Sequence, residues 1–133
     1  MISHQELYDL SLKAREHSYC PYSKYAVGAA LLTKEGKVYL GCNIENAAFG
    51  PTNCAERTAF FKAVSEGEKE FAAIAICGAP AGETPSAPCP PCGVCRQVMS
   101  EFCGGDFEVI LYDEAEGTKA YPLRAVLPLR FSL

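Results

Sequence analysis

At 133 residues, 49% of them apolar, the chain has the size of one domain and enough apolar mass to build a core without disulfide staples. Its net charge of −4 argues against a polyanion partner, since a nucleic-acid binder ordinarily carries a basic surplus. No apolar stretch approaches the roughly 20 residues of a membrane span, and the first residues show no basic segment leading into an apolar run. Neither a membrane anchor nor a secretory leader is expected.

Ser3 to His17 reads as a helix: Ser3 and Glu6 have capping-box spacing, and Leu7, Leu10 and Ala14 recur at helical intervals. Cys20-Pro21-Tyr22-Ser23 ends it. Ala26 to Thr33 is a strand of small apolar residues, and Lys34-Glu35-Gly36-Lys37 turns it into a second strand, Val38 to Cys42, as an antiparallel hairpin. Asn43 to Asn53 is loop, and Asn53 is a candidate N-cap for a helix running to Ser65, with Gly67 as its stop. Phe71 to Cys77 is a continuous apolar run, as expected of a strand buried on both faces. The Pro- and Gly-rich segment Gly78 to Pro91 reads as loop. A third helix spans Cys92 to Phe102, ended by Gly104-Gly105, and Phe107 to Tyr112 is a strand. Asp113 to Gly117 is too short for a parallel crossover, so a last strand, Thr118 to Leu123, must return antiparallel. The order α-β-β-α-β-α-β-β predicts a single α/β domain over residues 1–133. It is a three-layer α/β/α sandwich around one mixed five-stranded sheet, last strand antiparallel.

Eight cysteines in a chain with no sign of secretion read as metal ligands or buried thiols, which fits a reducing cytoplasmic setting. Two clusters stand out: Cys54-Ala55-Glu56 and Pro91-Cys92-Gly93-Val94-Cys95. Each opens a predicted helix, and Cys92 and Cys95, three apart, share one helical face. With Cys54 they offer three thiolates, and three ligands with an open fourth position are the pattern of a catalytic zinc. Glu56, two residues from a ligand, is a candidate proton carrier for a zinc-bound water. It also stands three residues after Asn53, where a capping-box glutamate is the commoner use. Arg57 is either a solvated helix residue or a donor that offsets thiolate charge. His4 and His17 both fall in the first helix, away from the clusters. Cys89 leaves two further arrangements open, pairing with Cys92 or closing the site as a fourth ligand. Gly93 after Cys92 and the stiff Pro90-Pro91 favour Cys92 with Cys95.

Cys54-Ala55-Glu56-Arg57-Thr58 followed by Pro91-Cys92-Gly93-Val94-Cys95-Arg96-Gln97 resembles the small homotetrameric zinc-dependent cytidine deaminases. Pro21-Tyr22-Ser23-Lys24-Tyr25, Val27-Gly28-Ala29-Ala30 and Gly41-Cys42-Asn43-Ile44-Glu45-Asn46-Ala47 extend the likeness, which reaches the Leu127-Pro128 region. It implies hydrolytic deamination of cytidine and 2′-deoxycytidine in pyrimidine salvage, with one Zn²⁺ per subunit on Cys54, Cys92 and Cys95. It implies Glu56 as the catalytic proton carrier and Arg57 as charge compensation. Asn43 and Glu45 become a ribose clamp, where they would otherwise be turn residues. The backbone carbonyls of Ala55 and the Pro91 region would bind the amine, Tyr25 would stand near the base, and Phe131 would reach a neighbouring subunit's pocket. Arg96 and Gln97 would hold the third helix in place. The partners so implied are a nucleoside and other copies of the chain, with no nucleic acid and no membrane. Two rivals remain: a deaminase of another substrate, and a structural zinc or redox module with Cys89 as fourth ligand.

Overall fold

The structure, a computed structural model, describes residues 1–133. Helix α1 (His4–Arg15) opens with the expected capping box: the Ser3 hydroxyl accepts from the Glu6 N–H at 3.1 Å, and the Glu6 carboxylate accepts from the Ser3 N–H at 3.0 Å. Strands β1 (Tyr25–Thr33) and β2 (Val38–Cys42) form the expected hairpin, turned at Gly36 in the left-handed region (φ 99°). Helix α2 (Ala55–Ser65), strand β3 (Phe71–Pro80), helix α3 (Gly93–Phe102) and strands β4 (Glu108–Asp113) and β5 (Gly117–Pro122) follow, then a short helix α4 (Leu123–Val126).

The five strands form one sheet in the order β2-β1-β3-β4-β5. Only β3 and β4 run parallel, with α3 in the crossover between them, and β5 returns antiparallel to β4. Period-2 alternation divides the core in two. Ala29, Leu31, Ile74, Ile76, Val109 and Leu111 face α2 and α3, where Phe60 and Phe102 stack with ring centroids 6.2 Å apart. Ala30, Leu32, Ala73, Ala75, Cys77 and Ile110 face the other way, against Leu7 and Tyr8 of α1. The expected three layers are present, and strand β3 is buried on both faces.

Beyond shifts of one residue at several strand and helix ends, three boundary differences bear on the packing. α1 stops at Arg15, and residues 16–17 form a turn. β3 runs on to Pro80, because Gly78, Ala79 and Pro80 pair with Val27, Ala26 and Tyr25. Their composition reads locally as loop, and only the neighbouring strand makes them sheet. Leu123, expected to end the last strand, is fully buried and begins α4, its N–H donating to the Phe107 carbonyl at 2.8 Å. No helix is long and apolar enough to cross a membrane.

Candidate active site

The N-termini of α2 and α3 meet at the end of the sheet where β3 finishes. Cys54 and Cys92 are the N-cap residues of these helices, each with extended backbone and no side-chain cap bond, so both sulfurs are free to face each other. The Sγ atoms of Cys54, Cys92 and Cys95 all lie within 4.8 Å of one another, and Cys54 and Cys92 are 3.8 Å apart. A tetrahedral zinc with bonds of about 2.3 Å places its sulfurs about 3.8 Å apart, so the cluster fits that ion. Three thiolates on a divalent ion leave surplus negative charge, which the positive ends of two helices offset. Arg57 Nη2 donates to the Cys54 sulfur at 3.2 Å. Without metal, the Cys54 thiol is lowered to about 5, first by a hydrogen bond from Cys95 and then by Arg57. The Cys95 thiol is raised, first by that same bond and then by its burial.

The cap of α2 corrects an expectation. Asn53 does not cap the helix; its Nδ2 donates to the Thr58 hydroxyl at 3.1 Å, and Cys54 takes the cap position. Glu56 is therefore the second helical residue and not the third, so the capping-box explanation fails. Instead its side chain is 5% exposed, and burial pushes its carboxyl up to about 7.

Glu56 lines a cavity of about 240 Å³ together with Val27, Asn43, Glu45, Cys54, Cys89 and Cys92. A larger one, of about 500 Å³, lies among Lys34, Lys69, Phe102 and Asp106 and holds none of the predicted site residues. Asn43 and Glu45 sit in the smaller cavity and are also bound to the protein. Asn43 Oδ1 accepts from the Val27 N–H at 3.0 Å and from the Ser18 hydroxyl, while its Nδ2 donates to the Tyr25 carbonyl at 2.8 Å. Glu45 Oε1 accepts from the Tyr22 and Ser23 N–H groups at 2.9 and 3.0 Å, and Oε2 accepts from the Ser23 hydroxyl. These three donors hold the Glu45 carboxyl below the usual carboxylate range, the Ser23 hydroxyl contributing most.

Other predicted residues are placed differently. Cys89 stands outside the three-sulfur group and packs on Gly78, where an added Cβ would come within 2.6 Å of its sulfur and 3.0 Å of the Tyr25 ring. Tyr25 thus lies against Cys89 and is not among the cavity-lining residues. The Ala55 carbonyl faces β2, where a Cβ on Gly41 would approach it to 2.4 Å. What Ala55 presents at the helix start is its N–H, which has no intrahelical partner. The Pro91 carbonyl accepts from Arg96 Nε at 2.7 Å, and Arg96 also donates to the Val126 carbonyl, which ties α3 to α4. Gln97 donates to the Phe131 carbonyl at 3.3 Å, and the Phe131 side chain is 65% exposed, away from its own chain's cavity.

A family model described as the cytidine and deoxycytidylate deaminase zinc-binding region matches residues 1–111. The chain belongs to this deaminase family. A cytidine deaminase of Sporosarcina psychrophila is 51% identical over 122 residues, covering 92% of this chain and 86% of that protein. A probable cytidine deaminase of Dictyostelium discoideum is 43% identical over 124 residues, covering 93% and 80%. The crystal structure of a cytidine deaminase from Burkholderia pseudomallei superposes with a TM-score of 0.86 at 45% identity, covering 98% of this chain and 100% of that one. Zinc is the metal of the matched region, and the sulfur cluster of this deaminase-family chain is positioned to bind it.

Several site-forming residues of this deaminase-family chain are not marked as such by residue type or spacing. Val27 and Thr52 line the cavity, and Ser18 and Ser23 hold Asn43 and Glu45. Ser18 lies just outside the Pro21–Tyr25 motif, three residues before it. Ser23 lies within Pro21–Tyr25, but nothing local shows that its hydroxyl is directed at a carboxylate 22 residues away.

Proposed function

We propose that the chain, acting as one domain over residues 1–133, is a zinc-dependent hydrolase that deaminates cytidine and 2′-deoxycytidine to uridine and deoxyuridine with release of ammonia. The position of Glu56 carries this reading: a buried carboxylate beside three convergent thiols, in a cavity that also presents Asn43 and Glu45.

Cys54, Cys92 and Cys95 hold one zinc per subunit, with Arg57 on the Cys54 sulfur to offset charge. When bound, zinc supplies the Lewis acid that makes a water molecule nucleophilic near neutral pH. Glu56 takes one proton from the attacking water and gives it to the ring nitrogen beside the carbon under attack. It then takes the remaining proton from the hydroxyl added to that carbon and delivers it to the departing amine, which leaves as ammonia while the carbonyl forms. A glutamate that is not a ligand plays this part in zinc deaminases generally. Burial, which raises this carboxyl in the metal-free protein, favours its holding a proton as well as accepting one.

Counting donors and acceptors supports a sugar clamp. Asn43 Oδ1 already accepts twice, and Nδ2 has one N–H left; Glu45 Oε1 accepts twice, and Oε2 has one lone pair left. One donor and one acceptor suit a single hydroxyl. For ribose and 2′-deoxyribose both to be accepted, that hydroxyl is one the two sugars share. A site built around a substrate hydroxyl rejects analogues that lack it far better than an apolar pocket rejects a misfit.

The working assembly in this reading is a homotetramer, with Phe131 reaching a neighbour's cavity and Tyr25 flanking the base. The exposure of Phe131, Leu129 and Leu133 supports it, since apolar groups at a chain end call for cover. Eight unpaired cysteines fit a cytoplasmic role in pyrimidine salvage. Purified Glu56→Gln protein is expected to keep its zinc and lose cytidine turnover by roughly a hundredfold or more. Near-wild-type turnover overturns the mechanism, and sedimentation of the purified chain checks the assembly.

A further inference from the structure

We propose that Ser18 and Ser23 are positioning residues of the sugar clamp, each holding one clamp residue so that the pair reads a single hydroxyl in a single sense. The inference rests on the reading of Asn43 and Glu45 as that clamp.

The residues after α1 form a strap across the clamp loop. Within it, the Tyr19 N–H donates to the Asn43 carbonyl at 3.0 Å, and the Glu45 N–H donates back to the Tyr19 carbonyl at 2.9 Å. The strap then places two hydroxyls: Ser18 on Asn43 Oδ1 and Ser23 on Glu45 Oε2. A left-handed Lys24 (φ 56°) turns the chain into β1, so the strap is anchored at both ends by regular structure.

The two hydroxyls do something the backbone contacts leave undone. The Val27 N–H orients the Asn43 amide but occupies one lone pair of Oδ1 only. Ser18 takes the second, so Asn43 faces the cavity as a donor alone. The Tyr22 and Ser23 N–H groups occupy Oε1 of Glu45 and leave Oε2 free to accept in several directions. Ser23 takes one lone pair of Oε2 and fixes the carboxylate plane. A sugar hydroxyl must then accept from Asn43 and donate to Glu45, which a hydrogen or an ether at that position cannot do.

The test compares kcat and KM for cytidine and for 2′-, 3′- and 5′-deoxycytidine in wild type, Ser18→Ala, Ser23→Ala and Ser23→Thr. Wild type is expected to lose kcat/KM on the one analogue that lacks the hydroxyl being read. Ser23→Ala should raise KM for cytidine by about tenfold, the effect of one well-placed hydrogen bond, with kcat held. Its KM for that analogue should stay where it was, so discrimination collapses. Ser18→Ala should move the same way by less, because the Val27 N–H still holds Oδ1. Ser23→Thr, which keeps the hydroxyl, should restore discrimination. A wild type that discriminates while both alanine variants discriminate equally well overturns the positioning roles alone. So does a fall shared by all four nucleosides with a lowered melting temperature. A wild type indifferent to every sugar hydroxyl overturns the clamp, and this inference with it.

Discussion

Arg57 Nη2 lies 3.2 Å from the Cys54 sulfur, three residues back on the same helix, while Arg57 Nε is buried without a partner. One turn of α2 therefore carries a candidate metal ligand at its cap, a buried carboxylate in its first turn and a cation folded back onto the ligand. The two groups favour each other's charge: Cys54 offsets the burial of Arg57, and Arg57, after the hydrogen bond from Cys95, helps to hold the Cys54 thiol down.

Replacing Arg57 by glutamine should thus weaken metal binding by about tenfold or more, as removal of a ligand's supporting partner does. In metal-free protein the first thiolate should form at higher pH than in wild type, since one of the groups that lower Cys54 is gone. Competition with a chelator and ultraviolet thiolate absorbance during a pH titration measure the two effects.

Glu56 predicts a pH-dependent cost to the fold. Burial raises its carboxyl from 4.5 to about 7, so the folded state holds this proton more tightly than the unfolded state. The associated stability is complete below the unfolded value and is lost as pH rises through about 7. Metal-free Glu56→Gln should therefore be more stable than metal-free wild type above pH 7, by up to about 3 kcal/mol. The difference should vanish as pH falls below 4.5. Denaturant titrations at several pH values check the slope and its sign.

Cys89 and Cys92 should respond differently to serine substitution. Cys89 is outside the sulfur group, and its thiol is pushed up to about 11, chiefly by burial. Cys89→Ser should keep one zinc per chain through dialysis, whereas Cys92→Ser should lose it. Zinc loss from Cys89→Ser would favour a closed four-sulfur site and the structural reading. Elemental analysis of the dialysed proteins decides.

Two glycines separate stability from site geometry. A Cβ at Gly28 would come within 2.1 Å of the Ser11 carbonyl and 2.6 Å of the Arg15 nitrogen, both backbone atoms of α1. A Cβ at Gly41 would come within 2.4 Å of the Ala55 carbonyl and 2.6 Å of the Ala59 nitrogen, both in α2. Gly28→Ala and Gly41→Ala should each lose about 1–3 kcal/mol or more through overpacking. Only Gly41→Ala pushes on the helix that carries Cys54 and Glu56. It should also lower zinc affinity and turnover at a temperature where both variants remain folded. Thermal melts paired with zinc content and activity make the comparison.

Much of the fold was legible along the chain because its signals are local. The Ser3–Glu6 box, the Gly36 turn and the short Asp113–Gly117 connection each act within a few residues, and each has its predicted effect in α1, the β1–β2 hairpin and the β4–β5 pair. Where a residue's state depends on a distant strand, local reading failed. Gly78 to Pro80 have loop composition and become sheet only because β1 pairs with them. Asn53 has the right side chain for a cap, but it bonds Thr58 while Cys54 takes the cap position.

The site divides the same way. Cys92 and Cys95 three apart, with Glu56 two residues after Cys54, are relations of spacing, and spacing alone proposed a three-sulfur metal site with a carboxylate beside it. Whether Cys89 joined that cluster, whether Glu56 was buried, and how many hydrogen bonds Asn43 and Glu45 had left were not properties of any segment. They depend on Cys89 packing on Gly78 of β3, on α2 lying directly against Gly41, and on the strap after α1 reaching across to the clamp loop. Chemistry that needs only neighbours along the chain was written in the sequence. Burial and the direction of each remaining donor and acceptor arose only when the elements packed, because both are set by atoms that come from elsewhere in the chain.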